Sequence, residues 1–353
     1  MTVRIRTLEE APPGAAAAWD AFVHATPEAS FFHLTPWAGV IRRAFGHRTH
    51  YAWAEQDGAV VGVLPLARMK TFLFGDLLAS TPFCVYGGAV AATAEAAAAL
   101  EAHAIDLQKR LGAPVLEFRR LGAADPGWVE RPALYYTFRK PIVLTQDDEK
   151  DMARNIPRKI RADVRKAITK FSLTSVSTTD GDTDGLHRIY AESVRNLGTP
   201  VFPRRYFRLL AAAFPDAHDV TTVLHEGRPL SAVLNFHFRD QVLPYYGGGV
   251  PAARDVFAAH FMYWEVMRRA GRERGARLFD FGRSKTDTGP FAFKEHWGFL
   301  PEPLHYCYRL APGARIPDNN PKDPKYSRPI AIWKKLPLWL ANLLGPPLVR
   351  GLG

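Results

Sequence analysis

Asp219-Val220-Thr221-Thr222-Val223-Leu224-His225-Glu226-Gly227-Arg228-Pro229-Leu230-Ser231-Ala232-Val233-Leu234 reads as strand, tight turn, strand. The same pattern stands earlier as Tyr51-Ala52-Trp53-Ala54-Glu55-Gln56-Asp57-Gly58-Ala59-Val60-Val61-Gly62-Val63-Leu64-Pro65-Leu66, turning at Asp57-Gly58. Glycine-marked segments follow each copy, Cys84-Val85-Tyr86-Gly87-Gly88-Ala89-Val90 and Pro244-Tyr245-Tyr246-Gly247-Gly248-Gly249-Val250. Each leads into a helical stretch, about residues 93–111 and 255–274, and then a short turn and strand. Those strands run from Gly112 to Arg120 and from Gly275 to Arg283. The landmark pairs Gly58/Gly227, Gly87/Gly247 and Glu117/Asp280 are separated by 169, 160 and 163 residues.

Three similar offsets in the same element order point to duplication. Each copy is then one α/β unit: a hairpin, a glycine-marked strand, a helix, and a strand beside the first. The Gln146-Asp147-Asp148-Glu149-Lys150 cluster marks the junction. The expected organisation is an α/β (α+β) chain with domains over 1–145 and 146–312. A basic tail rich in Trp, Leu and Pro fills 313–353.

The 353 residues suit two domains, and 47% hydrophobic with 23% charged residues excludes disorder, collagen and coiled coil. With only Cys84 and Cys307, a disulfide framework or a Cys-based zinc site is excluded, and a reduced cytoplasmic protein is expected. No apolar run follows Met1-Thr2-Val3-Arg4-Ile5-Arg6, so no signal peptide is expected. The 12 histidines lack ligand spacing, and no metal site is expected. Gly-x-Ser-x-Gly, His-Glu-x-x-His and Walker sequences are absent from the chain.

The net charge of +11 is concentrated in two segments, 150–170 and 312–353, which carry the whole excess. Two basic surfaces on a near-neutral body suit anionic partners, and equally suit solvated helix faces. Over 152–171, Ile156, Ile160, Val164, Ile168 and Phe171 form one helix face. Arg154, Arg158, Arg161 and Arg165 form another, with Pro157 marking the first turn. In the tail, Trp333 and Trp339 beside Lys334 and Lys335 suit an interfacial segment on an anionic inner leaflet, or docking on the protein's own surface. Its uncharged run is too short to span a bilayer.

Gly247-Gly248-Gly249 between a strand and a helix would let backbone N–H groups approach a phosphate, with Arg254 adding a charged donor; a plain turn gives the same pattern. Asp280, Arg283 and Lys285 end the following strand, where charged substrates bind in α/β units. A structural Asp280–Arg283 pair fits equally. Lys294, Glu295 and His296 stand between Phe293 and Trp297, a setting that shifts pKa values toward neutrality, or else one solvent face of a short helix.

This order of elements resembles the GNAT acyltransferase fold, and two such units in tandem resemble the FemAB family. The segments that carry the closer likeness include Pro244 to Gly249, Phe261-Met262-Tyr263-Trp264-Glu265-Val266-Met267-Arg268, Phe279 to Lys285, and Phe293-Lys294-Glu295-His296-Trp297-Gly298-Phe299. They are similar to FemAB-like proteins of exosortase/PEP-CTERM exopolysaccharide systems. The resemblance implies two GNAT-like domains, the second catalytic. It also implies transfer of an acyl or aminoacyl group to an amine of a cell-envelope or exopolysaccharide glycan precursor. The donor would be acyl-CoA or aminoacyl-tRNA, with no tightly bound cofactor, and the acceptor a glycan or lipid-linked molecule.

Backbone around Gly247, Gly248 and Gly249, with Arg254, would hold donor phosphates. Arg158, Lys159 and Arg161 would line the groove between domains. Tyr245, Tyr246, Lys285 and Trp297 would meet substrate, and Asp280, Arg283 and Lys294 would carry catalysis. The tRNA-handling helical arm of FemA-like ligases has no counterpart between 171 and 219, and Ala259-His260 replaces an expected Asn-Asp. The rival readings are tRNA-dependent peptidoglycan-bridge transfer and a non-catalytic protein binding anionic glycan, nucleic acid or lipid. The protein is expected to be cytoplasmic, with peripheral contact to the inner membrane face.

Overall fold

The computed structural model describes residues 2–122, 127–131, 134–317 and 324–353. The chain divides into two compact units. The first takes the described residues of 1–134, 304–320 and 347–353, and the second those of 135–303 and 321–346.

The first unit runs β1 (Arg4–Thr7), α1 (Ala15–Ala25), α2 (Pro36–Phe45), β2 (Arg48–Thr49), β3 (Ala52–Gln56), β4 (Ala59–Leu64), β5 (Ala67–Thr71), β6 (Gly75–Ser80), β7 (Val90–Ala91), α3 (Ala94–Leu111), β8 (Val115–Arg120) and β9 (Val129–Arg131). The second runs β10 (Tyr135–Pro141), α4 (Asp148–Asn155), α5 (Arg158–Thr169), β11 (Thr174–Thr178), α6 (Thr183–Leu197), α7 (Arg204–Ala213), β12 (His218–His225), β13 (Arg228–Phe238), β14 (Gln241–Gly249), α8 (Ala258–Arg274), β15 (Leu278–Asp280), β16 (Ser284–Lys285), α9 (Gly289–His296) and β17 (Pro301–Pro303). The strand β18 (His305–Leu310) and the helices α10 (Pro324–Lys335) and α11 (Leu338–Val349) close the chain.

Both hairpins form where expected. Asp57 and Gly58 have φ of 52° and 80°, and Glu226 and Gly227 have 49° and 74°. Positive φ at both central residues gives the turn whose twist matches paired strands. Helix α3 starts on the Thr93 side chain, which accepts from the Ala96 N–H, and stops at Gly112 with φ +61°. Helix α8 likewise stops at Gly275.

The duplication is visible as one β-α-β step in each unit. In the first, β6 and β8 are parallel neighbours bridged by α3. In the second, β14 and β15 are parallel neighbours bridged by α8. The first-half partner of β14 is therefore β6, and Cys84 to Ala89, expected as the strand, is a connection. Gly87 is needed there because a Cβ would lie 2.1 Å from the Ser80 carbonyl oxygen.

The expected boundaries at 145 and 312 differ from the observed partition. Tyr135–Pro141 pairs antiparallel with β15 of the second unit, and His305–Leu310 pairs antiparallel with β8 of the first. Each of these strands pairs with one more than 130 residues away in sequence, a non-local pairing that local composition does not encode. The helix expected over 152–171 is two helices. Pro157 is the N-cap residue of α5, and α4 ends before it.

Among the described residues the second sheet is ordered β11-β12-β13-β14-β15-β10-β16, with β17 also on β10. Its core gathers Phe138, Trp264, Met267, Phe279 and Trp297 between the sheet and helices α5, α8 and α9. Each such side chain contributes about 2 kcal/mol on removal from water. In the tail, Trp333 docks by donating to the Thr199 carbonyl at 3.0 Å, whereas Ile332, Trp339 and Leu343 are 64–68% exposed. Of the tail's charged residues, Asp318, Lys322 and Asp323 lie outside the described residues.

Candidate active site

Strand β14 is paired with β13 from Gln241 to Gly249, with a register shift between Leu234 and Asn235. Its other edge meets β15 only at Gln241↔Leu278 and Val242↔Phe279. Continuing that register would set Phe281 to Arg283 beside Pro244 to Tyr246. Instead the Phe281 N–H bonds to the Phe138 carbonyl, drawing the chain toward β10. The edge of β14 from Leu243 onward is thereby left without a strand neighbour among the described residues. Such an edge can pair with an extended ligand through backbone groups.

The three glycines lie inside this strand rather than in a turn. Their role follows from packing. A Cβ on Gly248 would come within 2.5 Å of the Ser193 Cβ on α6, and one on Gly247 within 3.0 Å of Val233 and of the Ala232 carbonyl oxygen. The connection that reaches the start of α8 is Val250 to Phe257, a 3₁₀ turn at Pro251–Ala253 followed by exposed Arg254. Tyr246 is sunk in an aromatic cluster with Tyr190, Phe202 and Phe207, and its hydroxyl is 3.0 Å from that of Tyr206. Tyr245 packs on Phe236.

Beyond β15 the chain makes a tight turn. Asp280 is 2% exposed, and its Oδ1 accepts from the Gly282 N–H at 2.7 Å. The carbonyls of Gly282 and Arg283 accept from Lys294 Nζ at 2.9 and 3.1 Å. Asp280 and Lys294 therefore fix the turn from both sides. Its product is Arg283, half-buried with its guanidinium 5.1 Å from the centre of the Tyr135 ring. Lys285 lies against the same ring at 5.2 Å.

Burial among Phe138 and Phe281 lowers the Lys294 ammonium from its usual range to about 7, although the nearby Asp280 pulls the other way. A neutral amine has two N–H groups, which match the two carbonyls, and one lone pair left to accept. Of the polar trio 294–296, Lys294 is buried while Glu295 and His296 are exposed.

Trp297 corrects an expectation. It is fully buried and packs on Tyr263, Phe281 and Phe293, so it cannot touch substrate. Its indole N–H donates to His260 Nδ1 at 3.0 Å. An indole nitrogen only donates, so Nδ1 is unprotonated and a neutral His260 carries its proton on Nε2. Burial lowers the His260 pKa and keeps that neutral form, with Lys159 and His296 acting in the same direction and Asp163 against. His260 thus presents an N–H donor in the first turn of α8, which the sequence showed only as an unexpected residue.

Arg161 is also reassigned: its Nη1 donates to the Ala153 and Ile156 carbonyls, capping the end of α4. Arg158 and Lys159 are exposed at the start of α5. No group of three or more His, Cys, Asp or Glu side chains among the described residues is placed to hold a metal. None of the described helices is long and apolar enough to cross a membrane.

Residues 152–295 match the acetyltransferase (GNAT) domain family. No curated protein matches the chain by sequence. Among solved structures, FemX superposes with a TM-score of 0.64 at 18% identity, over 87% of this chain and 97% of that one. A tandem GNAT protein from the clavulanic acid biosynthesis pathway gives 0.55 at 14% identity, over 88% and 98%. The C-terminal domain of a putative lysylphosphatidylglycerol synthetase from Agrobacterium fabrum gives 0.56 at 11% identity, over 84% and 92%. The chain thus has the fold of two tandem GNAT-like units, as FemX does, and its second unit carries the match to the GNAT acetyltransferase family.

Proposed function

We propose that this protein transfers an acyl or aminoacyl group to a primary amine of a cell-envelope or exopolysaccharide glycan precursor. The observation that carries the reading is the half-open strand β14, whose edge beyond Val242 has no neighbouring strand among the described residues and runs on toward the start of α8. An extended thioester or ester donor pairs with that edge, and its phosphates meet Arg254 and the first-turn N–H groups of α8. The acceptor amine attacks the donor carbonyl as the free base. The carbonyl oxygen becomes the oxyanion of a tetrahedral intermediate, which collapses as the bond to the thiolate sulfur or ribose oxygen breaks, and the proton lost by the amine passes to that leaving group or to solvent. Arg283 stabilises the oxyanion, while Asp280 and Lys294 position it, so that no charge reorganisation is needed during reaction.

The donor is an acyl-CoA or an aminoacyl-tRNA. The exposed Arg158 and Lys159 favour an anionic donor of either size. The exposed Trp339 and Leu343, beside Lys334 and Lys335, support peripheral contact with an anionic membrane that would present a lipid-linked acceptor.

The test pairs calorimetric titration with CoA and acetyl-CoA with transfer assays using labelled acetyl-CoA and labelled aminoacyl-tRNA. Amine-bearing glycan precursors serve as acceptors. Transfer from one donor is expected, and Arg283→Ala should lower it by about 10²–10³-fold while leaving the melting temperature nearly unchanged. Binding and transfer absent with both donors would overturn the proposal. A large stability loss in Arg283→Ala would make that residue structural.

A further inference from the structure

A second polar pocket lies under the C-terminal half of α8, away from the Arg283 turn. It encloses 390 Å³ between β11, β12, β13 and the helix. The helix rise of about 1.5 Å per residue puts its Arg269–Arg274 wall some 14–21 Å along the axis from His260.

The floor is organised by one carboxylate. Asp219 Oδ1 accepts from Ser177 Oγ at 2.8 Å, Asn235 Nδ2 at 2.7 Å and Thr221 Oγ1 at 3.2 Å, and Oδ2 meets His237 Nε2 at 2.5 Å. Burial alone would raise the Asp219 pKa, yet these bonds, led by His237, outweigh it and keep the group ionised. Every one of those protons points at Asp219. The second Asn235 N–H is also used, donating to Thr221 Oγ1 at 3.0 Å, so the amide orientation is fixed. Asn235, 1% exposed, is left with Oδ1 unbonded, and His237 Nδ1 is unbonded as well.

The floor therefore keeps Asn235 Oδ1 as an unused acceptor, while Ser177 and the Asn235 amide spend their protons on Asp219 and Thr221. The exposed carboxylates of Asp180 and Glu273 add negative charge at the rim. On the helix side, Arg269 donates to the Ser175 carbonyl and Arg274 to the Asp216 carbonyl, which ties both guanidiniums to strand and loop ends. We propose that this pocket binds a small ligand through a protonated primary amine, seated on Asn235 Oδ1 and drawn in by Asp180 and Glu273. A ligand that also bears a carboxylate, as an amino acid does, would set it toward Arg269 and Arg274. The site is independent of the acyl-transfer reading.

The experiment uses the full chain and three probes: L-serine, its methyl ester, and L-lactate, which keeps the carboxylate and hydroxyl but lacks the amine. Binding is followed by NMR shifts of the His237 ring and by calorimetry. Saturable one-to-one binding of an amine probe at millimolar concentration, with lactate inert, is the expected result. Stronger binding of the ester than of serine would identify a simple amine ligand, and the reverse an amino acid. The rim variant Asp180→Asn/Glu273→Gln should weaken binding about fivefold without altering the fold. Asn235→Leu, provided its melting is cooperative, should abolish binding. Lactate binding as well as serine, unperturbed His237 signals, or full affinity in the rim variant would each overturn the proposal.

Discussion

Replacing Lys294 by Met separates the packing of this side chain from its charge. In the unfolded chain its ammonium has the ordinary pKa of 10.5, and in the folded protein it titrates near 7. Between these values the unfolded state binds a proton that the folded state has released, so this group makes the wild type more stable as pH rises. Each pH unit in that window is worth about 1.4 kcal/mol. From pH 7, where the folded group is half protonated, to pH 9, the gain sums to about 2 kcal/mol.

Met fills similar volume and carries no such linkage, but it leaves the Gly282 and Arg283 carbonyls without their donor, at about 1–3 kcal/mol. The assay is urea unfolding of wild type and Lys294→Met at pH 7 and pH 9. The variant's stability relative to wild type should fall by about 2 kcal/mol between the two pH values. A pH-independent difference would mean that Lys294 keeps its normal titration in the folded state, and the reading of a neutral amine clamped on two carbonyls would fail. Transfer activity at pH 7 should drop in the variant because the Arg283 turn loses one of its two anchors.

Gly248→Ala should cost about 1–3 kcal/mol because its Cβ would meet Ser193, and Ser193→Gly in the same chain should recover part of that loss; urea midpoints of the single and double variants check this. Trp297→Phe removes the donor to His260 Nδ1, so the ¹⁵N signals of His260 should shift from a single Nε2–H tautomer to a mixture. Unchanged signals would show that another group sets the tautomer. Trp339→Ala/Leu343→Ala should reduce sedimentation with phosphatidylglycerol vesicles severalfold and leave stability within about 0.5 kcal/mol. Equal sedimentation of the two proteins would remove the tail from any membrane contact.

The sequence alone determined whatever depends on neighbours along the chain. The hairpins at Asp57-Gly58 and Glu226-Gly227 were legible because a turn needing positive φ at both centres announces itself in two residues. Helices α3 and α8 were legible from their length and from the glycines that end them. Their repetition at a near-constant offset revealed the tandem plan. The trio Lys294, Glu295 and His296 was visible as polar groups beside an apolar wall, but that Lys294 is the one buried was decided by the fold.

Tertiary structure decided the rest, because pairing partners and burial are set by residues far away in sequence. Strand β10, expected in the first domain, pairs with β15 of the second unit, and β18, expected in the second domain, pairs with β8 of the first, which moved both domain limits. Gly247 to Gly249 read as a phosphate turn, but their lack of side chains serves the approach of α6 and β13. Trp297 read as a substrate contact until its burial showed it to be the floor beneath His260. The Asp219 network spans three strands whose members lie up to 60 residues apart, Ser177 to His237, and only the register of β11, β12 and β13 brings them onto one face.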